Sequence, residues 1–219
     1  MSRVAITGAN RGIGLELARQ FVARGDEVIA LVRAASSELV GLGVEVIEGL
    51  DMSSDDLSAA SRGLGDRTLD VLLNNAGVLE RTELEALNLP AIRRQFEVNA
   101  LGPLKITSAL SGHLIEGSKV AHVTSRMGSV EDNTSGSHYG YRMSKAALNM
   151  AAKSMSVDLA GRGISVCVLH PGYVRTDMTG HNGLIDPQES AAGLIARIDE
   201  LTLESTGGFW HQNGERLPW

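Results

Sequence analysis

Tyr141-Arg-Met-Ser-Lys145 sets a phenol and an amine four residues apart. On a helix that spacing places both on one face. An ammonium beside a phenol favours the phenolate, so the pair is expected to lower the Tyr141 pKa from its ordinary value of about 10. A group tuned in this way can give and take protons near neutral pH. Chance also puts a Tyr and a Lys at this offset. Of the three tyrosines, Tyr139 and Tyr173 have Met143 and Asp177 there, and only Tyr141 has a lysine.

A second group of residues is built for phosphate. Thr7-Gly8-Ala9-Asn10-Arg11-Gly12-Ile13-Gly14 follows a strand-like run and opens a helix-like one. Gly8 permits a tight turn, Gly12 lets backbone approach a pyrophosphate, and Gly14 lets the helix pack close to a sheet. The free N–H groups and dipole of the helix N-terminus suit an anion. A purely structural strand-to-helix turn also uses glycine. The context required of a dinucleotide site is met here, and Asn10, Arg11 and Ile13 belong to the same turn.

The acidic residue that would bind an adenosine ribose 2′-hydroxyl, about 20 residues further on, is missing. The second strand ends Ala30-Leu31-Val32-Arg33. A carboxylate there would repel a 2′-phosphate, whereas Arg33 would pair with one, and Arg11 would add a second positive contact. The expectation is NADP ahead of NAD, with NAD left open. The alternative is that Arg33 is an ordinary solvated arginine.

These residues need a scaffold. Val4–Thr7, Glu27–Val32, Val44–Ile47, Leu69–Leu73, Val120–Thr124 and Ile164–Leu169 are continuous Val/Ile/Leu-rich runs, as in a parallel sheet buried on both faces, and Gly207–His211 is a candidate seventh strand. Helices are expected over Gly12–Arg24, Ser53–Arg62, Pro90–His113, Tyr139–Gly161 and Pro187–Leu201, with a loop or a few turns over Ala34–Gly43. Alternation of this kind implies a single α/β domain over residues 1–219: a doubly wound, Rossmann-type, mostly parallel sheet of six or seven strands with helices on both faces.

Composition narrows the function. Twenty basic and 26 acidic residues give a net charge of -6, with no Lys/Arg cluster, which argues against nucleic acid and anionic membrane as partners. No apolar run approaches the roughly 20 residues of a membrane helix, and Met1-Ser2-Arg3 leads straight into a strand, so a cytoplasmic protein is expected. The lone Cys167 reads as a buried strand residue. The six histidines lack metal-site spacing, and no metal is expected. His122 and His170 read as structural, and His138 as a candidate substrate contact.

With these motifs in order, the chain resembles the short-chain dehydrogenase/reductase family over nearly its whole length. Thr7-Gly8-x-x-x-Gly12-x-Gly14 resembles the cofactor turn. Asp51, followed by Met52, matches the acidic residue that meets the adenine amino group, and Asn74-Asn75-Ala76-Gly77 matches the motif after the fourth strand. Asn99 matches the mid-helix asparagine, and Ser125, three before Gly128, the catalytic serine, with Ser129 as fallback. Tyr141 and Lys145 match the catalytic pair, and Pro171-Gly172-Tyr173-Val174-Arg175-Thr176 matches the segment that holds the nicotinamide. Within the family, Gly8–Ala18, His138–Leu148 and the ending Phe209-Trp210-His211…Gly214–Trp219 are similar to C-factor-like and sniffer-type carbonyl reductases.

The resemblance implies hydride transfer between a nicotinamide and a carbonyl, with Tyr141 as proton donor, Ser125 bonding the carbonyl oxygen, and Lys145 holding the nicotinamide ribose. It implies that Asn99 holds a water linking Lys145 to solvent; a helix-kinking asparagine is the structural alternative. It also implies a homodimer or homotetramer. The segment Tyr173–Asp186 is brief for a substrate cover, and a short mobile lid over an open site is expected. The competing function is a C-factor-like signalling protein that binds the dinucleotide with chemistry secondary.

Overall fold

The computed structural model describes residues 1–219. The apolar runs form seven strands: β1 (Arg3–Thr7), β2 (Glu27–Leu31), β3 (Glu45–Ile47), β4 (Leu69–Asn74), β5 (Leu114–Val123), β6 (Ser165–His170) and β7 (Gly208–His211). They lie in one sheet in the order β3-β2-β1-β4-β5-β6-β7, with every neighbouring pair parallel. The chain winds outward from β1 to β3, then crosses back to β4 beside β1. That reversal opens a crevice at the carboxyl ends of β1 and β4, the place where such sheets bind ligands.

Each face of the sheet is covered. Helices α1 (Gly12–Ala23) and α7 (Pro187–Glu200) pack on one side, burying Leu17, Ala18 and Phe21 with Ala191, Leu194 and Ile198. Helices α3 (Ser58–Leu64), α5 (Gly102–Ala109) and α6 (Tyr139–Ala160) pack on the other, burying Ala60, Leu64, Ile106, Ala152 and Met155. The short α2 (Ser37–Val40), capped by Ser36, and α4 (Leu89–Phe96) complete the set. No helix is long and apolar enough to cross a membrane.

Strand β5 starts at Leu114, six residues before the expected Val120. Three further elements differ from expectation, each for a local reason. The run Pro90–His113 is not one helix. After α4 it widens into a π-helical turn, Glu97–Leu101, before α5 and a final 3₁₀ turn at Ser111–His113. Pro103 has no N–H to give the Asn99 carbonyl four residues earlier, and Gly102 N–H bonds the Glu97 carbonyl across five residues instead. The helix expected from Ser53 begins at Ser58, because Asp51, Ser54 and Asp56 bond to nearby backbone and hydroxyls and compete with helix formation. Tyr173–Asp186 is not a loose flap. Val174 bridges Ile185, Leu184 N–H donates to the Tyr173 carbonyl at 2.6 Å, and Arg175 pairs with Asp186 at 2.8 Å.

Candidate active site

The glycine turn is locked to the strand beside it. Thr7 Oγ1 accepts from Asn75 N–H at 3.0 Å and Ala76 N–H at 3.1 Å. The Asn75 amide returns bonds to the Thr7 and Gly8 carbonyls at 3.1 and 3.2 Å. Gly8 sits at φ +66, and a Cβ on it would stand 2.9 Å from Ala76 Cα. A Cβ on Gly14 would collide with the Gly8 carbonyl oxygen. Both glycines therefore answer to close backbone approach as well as to conformation.

Arg11 precedes α1 without a side-chain cap, so no side chain satisfies the first N–H groups of that helix. They open onto the cleft, and a Cβ on Gly12 would come to 3.5 Å from the Thr176 methyl on the opposite wall. A cradle of bare N–H groups with no side chain filling it fits a pyrophosphate. At the outer end, Arg33 and Arg11 are both largely exposed. Arg33 lies 4.0 Å from Asp51, and Arg11 lies 3.6 Å from Asp177. Asp51 accepts from Ser53 N–H and hydroxyl at 2.9 and 2.7 Å, and these bonds hold its carboxyl below the usual range.

At the inner end, Tyr141 and Lys145 line the same cleft, one turn apart on α6, and both are buried. The lysine ammonium donates to the Val123 carbonyl at 2.9 Å and stands 5.7 Å from the centre of the Tyr141 ring. It thus stands over the Tyr141 ring. Burial decides both protonation states. It pushes the Tyr141 phenol up to about 12, with the nearby Ser125 hydroxyl offsetting part of the rise. It pushes the Lys145 ammonium down to about 8. The expected lowering of the phenol by its lysine is not found: burial raises it, and the Ser125 hydroxyl is what counters the rise. At neutral pH Tyr141 holds its proton and Lys145 its charge.

Ser125 follows β5, and its Oγ accepts from Met127 N–H at 3.1 Å, capping the 3₁₀ turn Arg126–Gly128. Gly128 explains the serine-to-glycine spacing: a Cβ there would stand 2.8 Å from the Lys145 backbone. Without that Cβ the serine turn lies flat against α6 beside Tyr141. Asn99 is fully buried behind the cleft. Its amide accepts from Val78 N–H and donates to the Val78 carbonyl, both at 2.8 Å, and donates to the Ser144 hydroxyl at 3.0 Å. Gly77 lies between it and the lysine: a Cβ on Gly77 would be 3.3 Å from Asn99 Oδ1 and 3.6 Å from Lys145 Nζ.

Residues 2–184 match the family described as short chain dehydrogenase. The chain belongs to that family. It is 43% identical, over the full length of both chains, to 1-hydroxy-2-glutathionyl-2-methyl-3-butene dehydrogenase of Rhodococcus sp. (strain AD45). It is 47% identical to the C-signal of Myxococcus xanthus over 69% of this chain and 93% of that one. Among solved structures it resembles the carbonyl reductase Sniffer of D. melanogaster, with a TM-score of 0.91 and 30% identity. It also resembles a Pseudomonas aeruginosa PAO1 carbonyl reductase in complex with NADP, with a TM-score of 0.89 and 33% identity. Each comparison covers all of both chains. The resemblance to C-factor-like and sniffer-type members thus holds, and the protein is an NAD(P)-dependent oxidoreductase of the short-chain dehydrogenase family.

In this short-chain dehydrogenase, the cleft gathers Gly8, Asn10, Arg11, Gly12, Ile13, Gly14, Arg33, Asp51 and Met52 from the first half of the chain. It gathers Asn75, Ala76, Gly77, Tyr141, Lys145, Pro171 and Thr176 from the rest. Ser125, Asn99, Gly172 and Val174 do not line it. Val174 is buried, and Gly172, at φ +87, abuts Ile185. Val78, Val98, Thr124, Asp177 and Met178 also line the cleft, outside the residues expected from the sequence. Thr124 and Val78 adjoin motif residues and could have been inferred by continuity; apolar Val98 and Met178 carry no chemical signal. Among the histidines, His122 is fully buried, Nδ1 at 3.2 Å from the Asn74 amide, and burial holds it down to about 3. His170 stacks edge-on against His211 and is likewise held to about 3. His138 sits in the left-handed region at φ 52, directly before α6. Cys167 is buried, its thiol pushed up to about 12.

Proposed function

We propose that the whole chain, residues 1–219, works as one catalytic unit that reduces a ketone or aldehyde with NADPH. The observation that carries this reading is a buried Tyr141 and Lys145, the lysine bonded to the Val123 carbonyl, at one end of a cleft whose other end is a phosphate cradle, with the Ser125 side chain against Tyr141. A bound nicotinamide supplies the hydride. As charge grows on the substrate oxygen, the Tyr141 hydroxyl donates its proton and the Ser125 hydroxyl donates a hydrogen bond to the same atom. Lys145, positive at neutral pH, holds the ribose hydroxyls and favours the tyrosinate left behind.

Proton resupply runs through Asn99. Its side-chain amide is committed to Val78 and Ser144, so the relay water is held by its backbone carbonyl, which Pro103 leaves without the usual helix donor. Arg33 and Arg11 flank the outer end of the cleft and suit a 2′-phosphate, which places NADPH ahead of NADH; the relative from Pseudomonas aeruginosa was solved with NADP. The lone buried cysteine fits a reducing, cytoplasmic setting. Met143, Met150 and Val157 on α6 and Leu104 on α5 expose an apolar face suited to pairing two copies.

The test is absorbance at the nicotinamide band over a panel of diketones, quinones and aldehydes. NADPH-preferring turnover supports the reading; tight NADPH binding without turnover on any compound contradicts it. The similarity to the C-signal favours a second reading, a signalling protein that binds the nucleotide, and the latter outcome would favour it.

A further inference from the structure

The C-terminal stretch Glu215–Trp219 has no part in the chemistry above, yet it grips the loop that carries Ser125. The Trp219 carbonyl oxygen accepts from the Ser129 hydroxyl at 2.9 Å and from Val130 N–H at 2.6 Å. Glu215 accepts from Arg126 at 2.8 Å, and Arg126 also pairs with Asp132 at 2.9 Å. Three positions of one short loop are therefore tied to the same piece of chain. That piece is itself anchored. Leu217 is buried and its N–H donates to the Phe209 carbonyl at 2.9 Å, while the Trp219 indole lies on the Phe209 ring with centroids 5.5 Å apart.

Within the loop, short bonds carry the grip back to the serine. Ser129 N–H donates to the Arg126 carbonyl at 3.0 Å, Gly128 N–H to the Ser125 carbonyl at 2.8 Å, and Met127 N–H to Ser125 Oγ at 3.1 Å. The other side is held by Asn149, one helical turn beyond Lys145. It donates to the Gly128 carbonyl at 3.3 Å and accepts from the Thr124 hydroxyl at 2.6 Å. Between these two supports lies a hollow of about 330 Å³, lined by Gly128, Val130, Asn149, Met150 and Trp219. The loop is not backed by packed side chains on that side, and the Trp219 bonds to Ser129 and Val130 close it there.

We propose that Trp219 is a positioning residue for Ser125. Its docked indole and carbonyl hold the loop that sets the serine hydroxyl against the Tyr141 phenol. The inference rests on the role given to Ser125 above. Loosening the clamp should leave the nucleotide cradle untouched and lower turnover, since small misplacements of a reacting constellation cost up to roughly 10²-fold.

The experiment compares Trp219→Gly and Trp219→Phe in the full chain, with Ser125 intact and with Ser125→Ala, reading kcat, KM, NADPH binding by fluorescence and melting temperature. Trp219→Gly should lower kcat about tenfold or more with NADPH affinity unchanged, and Trp219→Phe should restore it. In the Ser125→Ala background, Trp219→Gly should add no further loss, as expected of residues acting through one group. An equal loss in that background, or no loss with Ser125 intact, overturns the clamp while leaving the Ser125 assignment standing. Full activity of Ser125→Ala alone overturns both. If Trp219→Gly does not fold, Ser129→Ala, which removes one donor to the Trp219 carbonyl, carries the same comparison.

Discussion

Replacing Lys145 by Met tests how far burial governs the site. Lys145 titrates at about 8 in the fold against an ordinary 10.5, because burial penalises its charge. Between those values the unfolded chain binds more protons than the native one, so the lysine makes stability rise with pH. Below pH 8 both states are charged and the penalty is constant; above 10.5 it is gone. One pH unit of difference corresponds to about 1.4 kcal/mol. Relative to Lys145→Met, the native protein should therefore gain about 1 kcal/mol from pH 7 to 9 and between about 2 and 3 kcal/mol by pH 10. Urea unfolding of both proteins at fixed ionic strength measures this difference, and all other titrating groups cancel. A difference that stays flat from pH 7 to 10 would mean that Lys145 titrates as in water, refuting the burial argument. Turnover by Lys145→Met should fall together with NADPH affinity.

Two further outcomes follow from the cleft walls. Arg33→Ala removes a forked cation from the outer end, and NADPH should bind roughly tenfold more weakly or worse while NADH binding stays level, measured by fluorescence titration. Thr7→Val leaves the Asn75 and Ala76 N–H groups without their acceptor. At roughly 1 kcal/mol for each of these part-buried donors and about 2–4 °C per kcal/mol for a chain of this size, the melting temperature should drop by about 4–8 °C.

The parts of the site that were legible in the sequence are those set by local spacing. The glycine turn needs a strand before it and a helix after it, and both are written in adjacent residues. Tyr141 and Lys145 share a helical face by arithmetic alone. Burial is not local, and it sets the direction of the Tyr141 shift; helical spacing likewise does not show that the ammonium goes to the Val123 carbonyl, a contact across 22 residues. The break in the long helix was hidden for a similar reason. Pro103 inside an apolar periodic run looks tolerable until Asn99 is seen bonded to Val78, 21 residues away. Tyr173–Asp186 looked loose by its glycines. Yet Gly183 passes close against the Val174–Arg175 backbone, where a side chain would not fit, and so serves tight packing.

The most direct test of the central claim is the rate of NADPH oxidation by wild type and Tyr141→Phe on a carbonyl substrate that wild type turns over. The variant should fold, bind NADPH as wild type does, and lose roughly 10²-fold or more in turnover, the usual worth of a positioned acid. Undiminished turnover by Tyr141→Phe would contradict that claim.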